Sequence, residues 1–271
     1  KAIRRQRQMC IRDRTSALVV SALAFTSCED FFDTSSKKDL NTETAYSNLE
    51  SAEMALVGCY DGWQRTISDA GVGMYLLAEF ASEQALAGLG LSDAKNNNVI
   101  DQFNLGIAPS YNDIFNVDWQ NYYKAIFRCN QLIVQEENID WAGDTKAQGR
   151  VMGEAHALRG ILYFDLVRMF GDVPLLTTPS EENVPRSPAS DVYKVIFEDF
   201  KYAIEHIPAD AYLLDNRNTN DGRITKYAAE ALMARAYLYY TGYYGAEHAS
   251  CTKAEAVAAI NDAVSYTHLR A

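Results

Sequence analysis

From Thr42 onward the apolar residues of this chain recur every three or four positions and almost nowhere every second position. That period constrains the fold most, because it lines apolar side chains along one helix face but scatters them over both faces of a strand. Ala45, Leu49, Ala52, Ala55, Leu56, Cys59 and Trp63 share one such face. Asp118 is placed to cap a second helix, DWQNYYKAIFRCNQLIVQEEN, striped by Trp119, Tyr122, Tyr123, Ile126, Cys129 and Ile133. Asp144 caps a third, through RVMGEAHALRGILYFDLVRMF, which Gly171 and Pro174 stop. Ser190 caps DVYKVIFEDFKYAIEHI, which halts before Pro208, and Thr225 caps KYAAEALMARAYLYYTGYY. Thr252 with Glu255 forms a capping box at the start of a last helix. Only VPLL (173–176) reads as a strand. The expected class is all-α.

Small residues within these helices say how they pack. Ala155, Ala157 and Gly160 in one, and Ala228, Ala229, Ala231, Ala234 and Ala236 in another, allow close approach of a neighbour. Large and small residues alternating over helix hairpins are the habit of tetratricopeptide-type arrays. The spacing is irregular and the connection from Ile207 to Ile224 is long, so the expectation is a degenerate tetratricopeptide-like array. The main non-helical stretch runs from Gly88 to Val117, a long loop insertion of the kind that is usually functional or disordered. Asn96, Asn98, Gln102, Phe103 and Tyr111 are its candidate ligand contacts, since they supply amide donors and aromatic faces.

The charge is unevenly placed. The whole chain carries a formal −11, but residues 1–14 hold six bases and one acid, and Arg270 is a further base. Setting the ends aside leaves 18 bases against 35 acids in residues 28–263, a net −17. So acidic a body excludes nucleic acid as a partner, because phosphate recognition needs clustered Lys and Arg. None of the five cysteines has C-x-x-C spacing, so no zinc ribbon or redox motif is present, and Cys59 and Cys129 read as small core residues. Glu154, His156 and Arg159 do not follow the H-E-x-x-H zinc pattern; Arg159 is expected to pair with Asp165 or Asp172. The tyrosines of YLYYTGYY (237–244) are expected in the array core, with their hydroxyls at its edge. No catalytic residue, metal site or cofactor is assigned.

Near the start, ALVVSALAFTSCEDFF (17–32) is an uncharged run that ends on Cys28 and turns at once into acids. Ala17 to Phe25 is nine residues, too short for a bilayer, which takes about 20 residues. It fits a signal-peptide core of about 7–15 residues. Small residues before a cysteine resemble a lipobox, although Phe25 stands where Leu is usual, so residues 15–27 are expected to be removed and Cys28 acylated. QRQMCIRDR (6–14) and VSYTHLRA (264–271) resemble translated adapter sequence; residues 1–14 and 264–271 are expected to be non-native, and the protein C-terminally truncated.

Several stretches in order resemble the SusD/RagB family of outer-membrane lipoproteins of Bacteroidota: SCEDFFD, NLESAEMALVGCYDG, WQNYYKAIFRCNQLI, GEAHALRGILYFDLVRMFGDVPLL, RSPASDVYKVIFEDFKYAIEHIP and GRITKYAAEALMARAYLYY. The likeness covers residues 28–263 and corresponds to the N-terminal half of such proteins. It implies a non-catalytic, surface-exposed protein held in the outer membrane through lipid on Cys28, with Glu29 and Asp30 as an export signal. It further implies a SusC-like TonB-dependent transporter as partner, over which the protein sits as a lid, and an oligosaccharide cargo, or a peptide in some relatives. Two other readings stay open: a helical-repeat adaptor that binds protein, and an all-α glycosidase.

Overall fold

The computed structural model describes residues 45–68, 73–82, 84–88, 95–104, 113–180, 182–212 and 222–268. Cys28, the signal segment, residues 1–14 and Tyr111 lie outside them. The described elements are α1 (Leu49–Ser68), α2 (Gly73–Ala81), α3 (Lys95–Asp101), α4 (Asp113–Val134), a 3-10 turn (Glu136–Asn138), α5 (Thr145–Phe170), β1 (Val173–Pro174), β2 (Arg186–Ser187), α6 (Ala189–His206), α7 (Lys226–Tyr244) and α8 (Lys253–His268). The fold is all-α. Its two short strands pair antiparallel, Val173 with Ser187 and Pro174 with Arg186, where VPLL interrupts the helical period.

From α4 to α8 each helix packs against the next, and α1 lies against both α4 and α5. The tightest pairing is α5 with α6, and glycines make it possible. A Cβ at Gly149 would come 2.5 Å from the carbonyl oxygen of His206, and one at Gly153 2.5 Å from Ile207 Cγ1. At Gly160 it would meet the Phe200 ring at 3.1 Å. All three lie on the face of α5 turned to α6, so the backbones approach more closely than any side chain would allow. Around them Val151, Met152, Leu158, Leu162, Tyr163, Phe164, Phe197 and Phe200 are buried in one core. Full burial of such a side chain stabilises by roughly 1.5–3 kcal/mol.

Three caps form as their sequences lead one to expect. Asp144 Oδ1 accepts from Ala147 N at 2.9 Å and Thr225 Oγ1 from Ala228 N at 3.1 Å. Thr252 and Glu255 bond reciprocally, Thr252 N to Glu255 Oε2 at 2.8 Å and Glu255 N to Thr252 Oγ1 at 3.3 Å. Two others do not. Asp118 is buried inside α4, which starts at Asp113, and its carboxylate accepts from Gly73 N at the start of α2. Ser190 lies within α6, whose first residue, Ala189, donates its N–H to Asp172 Oδ1 at 2.8 Å. In both cases a carboxylate serves a helix start distant in sequence.

Candidate functional site

The stretch from Gly88 to Val117 is not a plain loop: α3 and the first turn of α4 lie within it. Helix α3 was hidden from the apolar period because it is short and opens KNNN. Its Ile100 packs with Leu77 and Phe80 of α2 and Phe115 of α4, a small apolar cluster separate from the main core. Phe115 and Trp119 both meet the ring of Phe170 edge-on, at 6.4 and 5.2 Å between centroids, which ties this layer to the end of α5.

Helix α3 ends in a reversal that controls the candidate residues. Asn104 N donates to Val99 O and Phe103 N to Ile100 O, both at 3.1 Å, while Phe103 takes φ of 49°. These are the two hydrogen bonds of a Schellman ending, with phenylalanine where glycine usually sits. The left-handed conformation costs an L-residue roughly 1–2 kcal/mol. Its result is a phenylalanine that is 76% exposed, beside an exposed Gln102. Asn98 faces inward and is buried, and Asn96 lies on the first turn of α3. The structure therefore puts Gln102 and Phe103 together at the surface of this layer.

Sequence reasoning passed over two concave sites nearby. One is a groove of about 640 Å³ beside α4, walled by Trp119, Tyr123, Phe127 and the strap at Leu176, Thr178 and Ser180. The strap is pinned: Tyr123 Oη donates to Pro174 O at 2.7 Å, and Asn130 Nδ2 to Leu176 O at 2.8 Å. Burial raises the Tyr123 phenol well above its ordinary pKa, so it stays a neutral donor. The other is a cleft of about 470 Å³ among Met74, Arg168, Gly171, Tyr193, Tyr239, Tyr243 and Tyr244. Here the expectation of a tyrosine-filled core holds for Tyr237 and Tyr240 alone, since Tyr239, Tyr243 and Tyr244 are exposed. A run of five tyrosines over two helical turns must point several ways around the helix, and that signal was available in the sequence. Arg168 pairs with Asp165 and lies 5.1 Å from the Tyr239 ring centroid. Arg235, with Arg168 behind it, holds the Tyr239 phenol below its usual pKa.

The buried charges of α5 have structural work. Arg159 binds Asp199 of α6 through two bonds of 2.9 and 2.7 Å, and also Asn130 Oδ1 at 2.9 Å and Thr177 O at 3.2 Å. Its partner is thus neither Asp165, which takes Tyr122 and Arg168, nor the helix-capping Asp172. Burial works to raise the Asp199 pKa, but Arg159 outweighs it and holds the carboxyl below the usual range. His156 bonds Asp199 at 2.6 Å and stacks on Tyr202 at 4.0 Å. Glu154 accepts from Tyr60 and Tyr212 at 2.6 and 2.7 Å, and burial raises its pKa. Among the described residues no group of His, Cys, Asp and Glu is arranged to hold a metal ion.

A family described as "Starch-binding associating with outer membrane" matches residues 30–238. The SusD-like protein P38 of Formosa agariphila is 25% identical over 240 residues, covering 87% of this chain and 44% of that protein. A SusD-like protein of Bacteroides ovatus is 22% identical, over 86% of this chain and 40% of its own length. Among solved structures, a laminarin-binding SusD-like protein is similar with 29% identity and a TM-score of 0.59, over 80% of this chain and 44% of that one. A SusD-like protein of Bacteroides fragilis is similar with 25% identity and a TM-score of 0.60, over 80% of this chain and 38% of that one. The chain therefore spans less than half the length of these relatives. It belongs to the SusD-like family.

Proposed function

We propose that this member of the SusD-like family is a glycan-binding protein of the outer membrane, which captures an oligosaccharide and passes it to a SusC-like TonB-dependent transporter. The observation that carries the reading is the family match over residues 30–238, described as starch-binding and outer-membrane-associated. A laminarin-binding protein among its structural neighbours supports the same ligand class. The α2–α3 layer adds a surface suited to it: the Phe103 ring to stack on the C–H face of a pyranose, and the Gln102 amide to bond its hydroxyls. Asn96 and Tyr111 stay candidates on their chemistry alone, and the buried Asn98 supports the layer from within.

Capture needs no bond to break. The buried Glu154 and Asp199 and the partly buried Asp165 are each held by an arginine, a tyrosine or both, so none of the three is free to serve as an acid or base toward a sugar. Lipid on Cys28 would tether the protein; a single acyl chain anchors only marginally, so stable attachment would take more than one. The test is calorimetric titration with starch-type and laminarin-type oligosaccharides, each incubation assayed for new reducing ends. Saturable binding of at least one, with no reducing ends released, is the expected outcome. Cleavage would make the protein a glycosidase, and failure to bind any would remove the glycan reading.

A further inference from the structure

Cys59 of α1 and Cys129 of α4, 70 positions apart in the chain, are both buried free thiols, and each belongs to the same core. The two helices run antiparallel with a register that three contacts define. Asn121 Nδ2 donates to Arg65 O at 3.4 Å, a Cβ on Gly62 would lie 3.1 Å from both Cα and Cβ of Ala125, and Arg128 Nη1 donates to Gly58 O at 2.9 Å. By that register, one turn from the Gly62–Ala125 contact, Cys59 and Cys129 fall opposite each other. Both are wholly buried in the same core. The glycine contact matters, because a disulfide needs Cα atoms about 4.4–6.8 Å apart and only closely approaching helices supply that.

We propose that Cys59 and Cys129 form a disulfide that staples α1 to α4 in the exported protein. The two thiols give up two protons and two electrons as the sulfur–sulfur bond forms. The electrons pass to a protein disulfide oxidant of the exported compartment, whose own sulfur–sulfur bond breaks to give two thiols. Because neither sulfur meets solvent in the folded state, the bond forms while the chain folds, before α1 is fully seated. The buried Cys129 thiol is pushed well above its ordinary pKa, with Cys59 as the first cause and burial the second; contact between the two groups is the reason. Cys251 is buried near the start of α8, where the described residues offer it no cysteine partner. The bond closes a loop of about 70 residues, which by loop entropy shifts the folding equilibrium roughly a thousandfold.

The compartment follows from the proposed function, but the pairing does not, and the experiment separates them. The full chain, reduced and denatured, is refolded in a glutathione redox buffer, and a second sample is recovered after export by a bacterial host. Each is alkylated in denaturant without reductant, then reduced and alkylated again with a second reagent. The expected result for the refolded sample is Cys59 and Cys129 carrying only the second label, joined in one linked peptide, with reductant lowering the unfolding midpoint. Both cysteines taking the first label after refolding would overturn the proposal. If only the exported sample is reduced, the proposal of a disulfide in the exported protein falls and the compartment is at fault rather than the pairing. Cys59→Ser should leave Cys129 open to the first label; Cys129 protected in that variant would also overturn the assignment.

Discussion

The α5–α6 pair and the α2–α3 layer are built on opposite terms. Between α5 and α6, glycines at 149, 153 and 160 let two backbones close up, large aromatics fill the space around them, and Arg159 neutralises Asp199 with bidentate geometry. The layer of α2 and α3 rests on Ile100, Leu77, Phe80 and Phe115, and its helix ends on a phenylalanine held in a left-handed turn. The first arrangement spends every group on rigidity. The second leaves an aromatic ring and an amide facing water, and keeps backbone strain that a glycine would relieve. Strain and exposure together are more often retained for binding than for stability. On the proposed function, the array is scaffold and the layer is the surface that would meet the glycan.

Arg159→Ala should have the largest effect. It strands Asp199 in the core and frees Asn130 and the strap at Thr177, so the expected loss is about 3–5 kcal/mol. Denaturant unfolding checks it; a loss below about 1 kcal/mol would put this pair on a par with a surface contact.

The α7–α8 pair falls between the two regions and shows why a buried acid is not automatically an anchor. Glu230 is buried, but its cation, Lys226 at 3.2 Å, is shared with Asp262 at 2.8 Å. Burial pushes the Glu230 carboxyl up to about 7 from 4.5, with Lys226 opposing and Asp262 adding to the rise. Lys201, Glu205 and Glu255 line the same groove. A raised folded-state pKa means stability that is complete below about 4.5 and lost as pH rises through about 7. Asp199 runs the other way: its depressed pKa contributes stability above about 3.9 that is lost only in stronger acid. Thermal unfolding should therefore weaken by on the order of 2 kcal/mol between pH 4.5 and 7, and Glu230→Gln should flatten that slope. An unchanged slope in the variant would mean that another group titrates.

Periodicity and capping residues made the scaffold legible. The limits of α5, α7 and α8 follow from Asp144, Thr225 and the Thr252–Glu255 box, all of which act within one turn. What escaped was decided at a distance. Asp118 looks like a local cap and Asp172 like a partner for Arg159, yet they serve Gly73 and Ala189 on other elements. Arg159 has acids near it in sequence, but pairs with one that only the approach of α6 supplies. Helix α3 was missed because KNNN carries no apolar stripe, and its stability comes from Ile100 and Val99 packing inward. The stretch from Gly88 to Val117 reads as loop in the sequence, so its candidate residues rest on side-chain chemistry alone. Helix geometry divides them, turning Asn98 inward and Gln102 and Phe103 out.

At α8, Val257, Ile260 and Val264 leave an apolar stripe exposed. The helix continues through residues 264–268, where Tyr266 stacks on Tyr227 at 3.6 Å.

The smallest effect on stability should accompany the largest effect on binding. Phe103→Gly removes the ring but suits the left-handed turn, so the unfolding free energy should stay within about 1 kcal/mol of the parent. Calorimetric titration of the parent chain and this variant with the best-bound oligosaccharide tests the central claim most directly. Loss of one stacked ring, at about 1.4 kcal/mol, predicts roughly tenfold weaker binding with the fold intact. Equal affinity in the two proteins would contradict the account, and would move the glycan away from the α2–α3 layer.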